Sequence, residues 1–331
     1  MRDVAALAGV SLKTVSRVVN DEPGVSGAVR ERVREAADRL DYRPNLAASF
    51  LRSADGRTGT IGALVQDVSN SFSAGMLRAI EETARAHSTS LLAASLDETP
   101  EREEEIVRAL VRRRVDGLII APATARQDYL VSEVRAGLPI VVVDRAPQGI
   151  DVDTVTVDNL GGAQTAVGHL IEHGHRRIAI VTDRTGIVTA ELRLEGAVRA
   201  LERHGIPLEP GLLARAGSEQ EATALVRRFL AGSDPPTAIF AARNVIAAGA
   251  VRALAELGMR DQVAVVGFDD VPLADLLVPA LTVVRQNSGR IGRTAAELLF
   301  SRIEGQAGPP RHIVYEGELL VRGSGELPPA W

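Results

Sequence analysis

From Thr60 onward the chain alternates short apolar runs with amphipathic stretches of helical length, and this constrains its fold more than any other feature. The apolar runs are Ile61–Val65, Leu91–Ala94, Gly117–Ala121, Ile140–Val143, Ile178–Val181, Ala238–Ala241 and Val263–Gly267. Between them lie Ser73–Ala86, Glu101–Arg114, Gly161–Glu172, Ala190–His204, Glu219–Ala231, Val245–Glu256 and Ser288–Glu304. A short, wholly apolar run is a strand buried on both faces, and a strand followed by a helix rejoins its sheet in parallel. About 270 residues are too many for one such sheet, so two doubly wound parallel sheets with a cleft between them are expected. Open parallel sheets bind ligands at the carboxyl ends of their strands.

The first 59 residues read differently. Residues 2–8 form a predicted helix with Val4 and Leu7 inward, and Gly9 stops it. Ser11 is a good N-cap for a second helix, Leu12 to Asn20, with Val15, Val18 and Val19 on one side. Ser26 caps a third, running to about Leu40 with Val29, Val33, Ala36, Ala37 and Leu40 at helical spacing. Tyr42-Arg43-Pro44 breaks it, Asn45 caps a short fourth helix from Leu46 to Arg52, and Ser53 to Gly59 is a polar linker. Two short helices around a Gly turn, then a third, is the helix-turn-helix pattern. On pattern alone it is equally a three-helix scaffold.

Charge sharpens that choice. The chain of 331 residues has a formal charge of −5, which argues against a nucleic-acid partner. The sum hides a split: residues 1–57 carry ten basic and eight acidic side chains, a net +2, and the rest carries −7. Lys13, the single lysine, and Arg17 lie in the second helix without an acid beside them. The absence of cysteine excludes disulfides, thiolate metal sites and thiol catalysis. No apolar run is long enough to span a membrane, and Met1-Arg2-Asp3-Val4 begins no secretory leader, so a cytoplasmic protein is expected. His169, His173 and His175 bracket Gly174 and fit a helix C-terminus better than a metal cluster. Gly323-Ser324-Gly325 opens no helix, and no Ser/His/Asp arrangement stands out, so no enzyme activity, cofactor or metal is expected.

The stretch Asp3-Val4-Ala5-Ala6-Leu7-Ala8-Gly9-Val10-Ser11-Leu12-Lys13-Thr14-Val15-Ser16-Arg17-Val18-Val19-Asn20 closely resembles the DNA-binding headpiece of the LacI/GalR family of repressors. Val25-Ser26, the Arg-rich third helix and Tyr42-Arg43-Pro44-Asn45 continue the match. Downstream, Gly168-His169-Leu170, Gly174-His175-Arg176-Arg177-Ile178-Ala179, Arg193-Leu194-Glu195-Gly196, Val266-Gly267-Phe268-Asp269-Asp270 and Pro279-Ala280-Leu281-Thr282 follow in the family's order. The resemblance covers essentially the whole chain. It implies an all-α headpiece (1–44), a hinge helix and linker (45–59) and an α/β core like the periplasmic binding proteins (60–331). The core would split into an N-subdomain of about 60–157 and 287–318 and a C-subdomain of about 158–286 and 319–331.

The resemblance also implies roles. Leu12, Lys13 and Arg17 would face base edges, and Ser11, Thr14, Ser16, Asn20 and Ser26 would bond phosphates. Asn45, Ala48 and Leu51 would belong to a minor-groove hinge, with Leu51 as the wedge between base pairs. Phe72, Ser73, Thr189, Arg193, Arg243, Asp269 and Gln286 would line an effector pocket between the subdomains. A homodimer on a near-palindromic operator, released or recruited by a small effector, is the implied mechanism. No heptad repeat precedes Trp331, so dimers rather than tail-linked tetramers are expected.

The chain departs from the family in places. Ser73 stands where a second aromatic usually accompanies Phe72, no aromatic lies near Gly217, and Arg243-Asn244 replaces an Asn-Asp pair. These changes predict a roomier, less aromatic and more cationic pocket, hence a polar or anionic effector such as a sugar phosphate or sugar acid, with a sugar as the third class expected. Family members usually carry a Ser/Thr cap ahead of Asp3, so the first helix is expected to be poorly capped. The competing reading is a sugar-binding sensor of the periplasmic type without strong operator binding.

Overall fold

The computed structural model describes residues 1–19, 22–42, 56–124 and 126–331. The chain divides into two units, Met1–Gly59 and Thr60–Trp331.

In the first unit α1 spans Arg2–Ala8, α2 Leu12–Val19 and α3 Gly27–Arg39. Gly9 ends α1 in a left-handed conformation at φ 65°. Its N–H donates to Ala6 O and that of Val10 to Ala5 O, which satisfies the carbonyls a helix end leaves free. Ser11 caps α2 as predicted, its Oγ accepting from Thr14 N at 3.1 Å. Two expectations need correction. Ser26 precedes α3 with extended backbone, but its side chain makes no cap bond. Leu7 faces outward at 50% exposure, because α1 buries Val4, Ala5 and Ala8 instead. Including Ala5 turns the inward face away from Leu7. Met1 offers α1 no side-chain cap. The core of the unit is small: Val4, Ala5, Ala8, Val15, Val18, Val33 and Ala36, flanked by Val10, Val29 and Tyr42.

The second unit contains two six-stranded sheets. The first has the order β11-β5-β4-β3-β1-β2 and the second β12-β10-β9-β8-β6-β7. In the first sheet the strands are β1 Thr60–Val65, β2 Ser90–Ser95, β3 Gly117–Ile120, β4 Ile140–Asp144, β5 Asp153–Val157 and β11 His312–Tyr315. The second holds β6 Ile178–Thr182, β7 Leu213–Arg215, β8 Ala238–Ala241, β9 Ala264–Phe268, β10 Thr282–Arg285 and β12 Glu318–Leu320. All pairings are parallel except β10 with β12. The predicted class holds, with one antiparallel edge added. The C-terminal stretch gives one strand to each sheet, so the chain passes between the two three times.

Alternation along the strands feeds cores on both faces of each sheet. Ile61, Ala63 and Val65 pack under α4 (Ser71–Ala86) and α11 (Ser288–Ile303), while Leu64 points to the opposite face with Val107 and Leu110 of α5 (Pro100–Arg112). In the second sheet, Ile178, Ile180 and Phe240 meet α7 (Asn159–Glu172) and α8 (Val188–Arg203). Ala179, Val181 and Ile239 meet α9 (Glu219–Leu230) and α10 (Asn244–Leu257). A short α6, Val131–Arg135, completes the helices of the described residues.

One glycine matters for the site. A Cβ at Gly196 would lie 2.2 Å from Leu160 O, so α7 and α8 approach backbone to backbone. That approach puts Arg193 Nε 2.8 Å from Asn159 Oδ1. Gly196→Ala gains helix propensity but must part the two helices, and overpacking of this kind costs about 1–3 kcal/mol. The expected result is a lower urea midpoint together with weaker effector binding. An unchanged midpoint would show that the helices separate freely.

Candidate functional site

In the first unit α2 presents its N-terminal turn to solvent. Leu12 is 47% exposed, and Lys13 is exposed beside it. One turn on, Arg17 is half exposed, with Nε 3.9 Å from Glu22 Oε2. Ser11 and Thr14 are joined Oγ to Oγ1 at 2.9 Å. Ser16 is half-buried and Ser26 exposed. The buried side of the same helix is Val15 and Val18. The result is a helix with apolar, cationic and hydroxyl groups on its free face. Asn20, Asn45, Ala48 and Leu51 lie outside the described residues.

In the second unit the strand ends converge on a cleft of about 630 Å³, counting the open space at its mouth. Each sheet runs in the order 2-1-3-4-5 within its own half, so its switch point lies between β1 and β3 or between β6 and β8. Residues just past the carboxyl ends supply the walls: Gln66, Asp67 and Asn70 after β1, Ala121 after β3, Asp144 and Arg145 at β4. Asp183 follows β6, Arg243 and Asn244 follow β8, Asp269 follows β9 and Gln286 follows β10. The seven residues predicted to line an effector pocket, Phe72, Ser73, Thr189, Arg193, Arg243, Asp269 and Gln286, all line this cleft.

The polar groups there are tightly organised. Arg193 is buried on α8; its Nε donates to Asn159 and its Nη1 to Ala242 O at 2.9 Å. Nη1 also lies 3.6 Å from Asp269 Oδ2, and the guanidinium stacks 3.8 Å over the Phe268 ring. Asp269 holds a left-handed backbone at φ 68°, as does Asp144 at φ 66°. Each stands at the end of a central strand, and non-glycine residues with such backbones cluster at functional sites. Burial pushes the Asp269 carboxyl above the usual carboxylate range, and Arg193 and the Gln286 amide offset this only in part. Gln286 Nε2 donates to Asp269 Oδ1 at 2.6 Å, leaving Gln286 Oε1 buried without a partner. Across the mouth, the side-chain amides of Asn70 and Asn244 donate to each other at 3.0 Å.

Charge is where the structure overturns an expectation. The cleft is not cationic: its lining holds Arg145, Arg193 and Arg243, but also Asp67, Glu98, Asp144, Asp183 and Asp269. Each guanidinium has its own carboxylate, with Glu98 on Arg145, Asp269 near Arg193 and Asp183 on Arg243. Burial works against the Arg145 charge, yet bonding to Glu98 and the field of Asp144 hold its pKa above the ordinary arginine value. Sequence reasoning missed Asp144, Arg145, Asp183 and Glu98. A usable signal existed for two of them: Asp144 and Asp183 are the carboxylates met where the apolar runs Ile140–Val143 and Ile178–Val181 end.

The histidines are structural. His173 Nδ1 reaches His169 O at 2.8 Å, at the C-terminus of α7, and His169 Nε2 meets Glu326. His175 is buried, with Nδ1 2.9 Å from Thr237 Oγ1 and Nε2 2.8 Å from Leu327 O. Among the described residues no group of three or more His, Cys, Asp or Glu side chains is arranged to hold a metal ion. Burial pushes the His175 imidazole below its ordinary pKa, only partly offset by the Leu327 carbonyl. The unfolded chain therefore takes up a proton near pH 6.5 that the folded chain refuses. Stability from this group is full above that pH and falls as pH drops toward the depressed folded value, by at most about 1.4 kcal/mol per unit. Thermal midpoints between pH 5 and 8 should show the decline, and His175→Gln should flatten it. A profile of the variant parallel to the parent's would refute this.

Two family models match the chain. "Bacterial regulatory proteins, lacI family" covers residues 1–45, and "Periplasmic binding protein-like domain" covers 167–325. The HTH-type transcriptional repressor CytR of Escherichia coli (strain K12) is 31% identical over 327 residues, 98% of this chain and 95% of the relative. The chain belongs to the LacI family of regulators. Among solved structures, the lac repressor dimer bound to operator and the anti-inducer ONPF superposes with a TM-score of 0.83 at 29% identity, covering 98% of each chain. The transcriptional regulator CelR in complex with cellobiose superposes at 0.72 with 33% identity, again over 98% of each chain. As a LacI-family protein this is a DNA-binding transcriptional repressor governed by a small-molecule effector, not an enzyme. Repressors of this family act on operator DNA as dimers. No helix among the described residues is long and apolar enough to cross a membrane.

Proposed function

We propose that this repressor senses an uncharged, hydroxyl-rich small molecule, bound in the cleft between the two sheets. The observation that carries the reading is the pairing of every cleft guanidinium with a carboxylate, beside acceptors left open. Asp144 makes no side-chain hydrogen bond among the described residues, its nearest ionic neighbour being Arg145 Nε at 3.6 Å. Gln286 Oε1 is buried and orphaned. Such acceptors call for hydroxyl donors, since a buried unsatisfied polar group costs about 1–3 kcal/mol. Asp269 accepts from hydroxyls and Arg193 donates through Nη2, its Nε and Nη1 being held by Asn159 and Ala242; Thr189, Ser73 and Arg243 complete the polar wall, and the Phe72 ring offers an apolar face. The cellobiose bound to CelR supports a carbohydrate. Of the three classes the sequence suggests, the plain sugar fits the charge; the sugar phosphate and sugar acid do not.

In the same proposal Lys13 and Arg17 donate to guanine O6 and N7, and Leu12 packs on a thymine methyl. Ser11, Thr14, Ser16 and Ser26 hold phosphates, as does Asn20, and Asn45, Ala48 and Leu51 form the minor-groove hinge of segment 45–59. Residues 1–44 are the headpiece and 60–331 the sensor, working in the cytoplasm on a near-palindromic operator. Effector occupancy changes the angle between the two sheet-based subdomains and so the spacing of two hinges. Calorimetry with a panel of neutral monosaccharides, their acids and their phosphates tests the effector, and a gel shift with the upstream intergenic DNA tests the coupling. Tight binding confined to anions would sink the reading.

A further inference from the structure

We propose that Glu98 and Asp183 determine effector specificity: each is a built-in counter-ion on a cleft arginine, Glu98 bidentate and Asp183 through one hydrogen bond, where a phosphate or carboxylate would otherwise dock. This rests on the cleft being the effector site. Arg145 gives Nη1 and Nη2 to the two oxygens of Glu98, at 2.7 and 2.5 Å, and Nη1 also to Pro122 O at 2.8 Å. That leaves the side-on donors, the second Nη2 hydrogen and Nε; Nε is buried without a hydrogen-bond partner and lies 3.6 Å from Asp144 Oδ2. An arginine recognises anions through two parallel N–H donors; here the end-on pair is taken by Glu98, and the side-on pair faces the Asp144 carboxylate.

Glu98 is held in place rather than loosely apposed. Asp97 and Glu98 are consecutive residues with left-handed backbones, at φ 52° and 53°. Gln66 Oε1 accepts from Glu98 N at 3.3 Å, while Gln66 Nε2 donates to Ala121 O and Pro122 O at 2.9 Å. Backbone in a sparsely populated region persists only where its surroundings over-determine it. On the opposite wall Arg243 Nη1 meets Asp183 Oδ2 at 2.5 Å, and Asp183 Oδ1 accepts from Arg184 N at 2.8 Å. An anion entering the cleft therefore finds guanidiniums already paired with carboxylates, and the further carboxylates of Asp67 and Asp144. An uncharged polyol meets no such opposition.

Glu98→Gln keeps the shape and the hydrogen-bonding reach while removing the charge. Calorimetry with inorganic phosphate is expected to show at least about tenfold tighter binding by Glu98→Gln than by the parent, a gain of about 1.4 kcal/mol. The gain should vanish in Glu98→Gln combined with Arg145→Met. Asp183→Asn, whose partner Arg243 is more exposed than Arg145, should show a gain through Arg243 and keeps the question answerable if Glu98→Gln does not fold. Equal phosphate affinity in the parent and both single variants would overturn the proposal, as would a gain that survives Arg145→Met. A parallel titration of the parent with neutral sugars separates the two readings. An anion gain without any sugar binding leaves the counter-ions standing and removes the effector class; sugar binding without an anion gain does the reverse.

Discussion

Asp269→Asn is expected to weaken effector binding by about 30-fold or more while leaving operator binding without effector intact. The substitution keeps the side-chain volume, and asparagine accepts a left-handed backbone better than other residues with a Cβ, so the φ of 68° is not itself a source of misfolding. What is lost is charge. A hydrogen bond to a charged acceptor is worth roughly 1.5–3 kcal/mol, which sets the size of the affinity loss. Arg193, buried beside Asp269 and 3.6 Å from it, also loses its nearest carboxylate. Breaking a buried pair from one side costs more than the pair contributes, so a lower urea midpoint should accompany the affinity loss. Asp269→Ala should be worse, because alanine tolerates the left-handed backbone poorly. Calorimetry and a gel shift on the same preparation decide the matter: full effector affinity in Asp269→Asn would remove Asp269 from the site.

Arg17→Ala should have the largest effect on DNA. One bidentate arginine–guanine contact discriminates by about 1–3 kcal/mol, and a dimer loses two. Specific operator affinity should therefore fall by roughly 30-fold at the least, with the preference for guanine relaxed at one position of each half-site. Binding to unrelated duplex should fall far less, because only one charge per headpiece is removed. Arg17→Lys should restore the charge but not the base preference, since an ammonium cannot offer two fixed donors. Fluorescence anisotropy on operator and scrambled duplexes is the measurement, and equal losses on both would make Arg17 a phosphate contact. The ion pair of Arg17 with Glu22 lies on the exposed face, so releasing it on DNA costs little.

The two predictions rest on different kinds of legibility. On the headpiece, the α2 cap at Ser11 and the buried Val15 and Val18 follow from local pattern, while the choice of Leu12, Lys13 and Arg17 as the reading face follows from the family resemblance. Leu7 was misplaced because a seven-residue helix offers too few apolar positions to define a face. Strands β5, β7, β10, β11 and β12 escaped the pattern for a related reason. Several lie toward sheet edges or mix Thr, Asp and Glu with apolar residues, as in Asp153-Thr154-Val155-Thr156-Val157, and so lack the continuous apolar run of a central strand.

What the sequence determined by itself was the class of each unit, the turn chemistry of the headpiece and the positions lining the cleft. The class of each unit and the turn chemistry around Gly9 and Ser11 follow from periodicity and caps, which act over a few residues; the cleft positions follow from the family resemblance that the ordered motifs carry. What only the tertiary structure decided was the character of the cleft. Arg243 read as added positive charge until Asp183, 60 residues away, was seen on it. Arg145 went unnoticed until Glu98, 47 residues away, was seen filling its fork. The sign of a binding site depends on which ions face one another across the packed elements, and sequence spacing does not encode that.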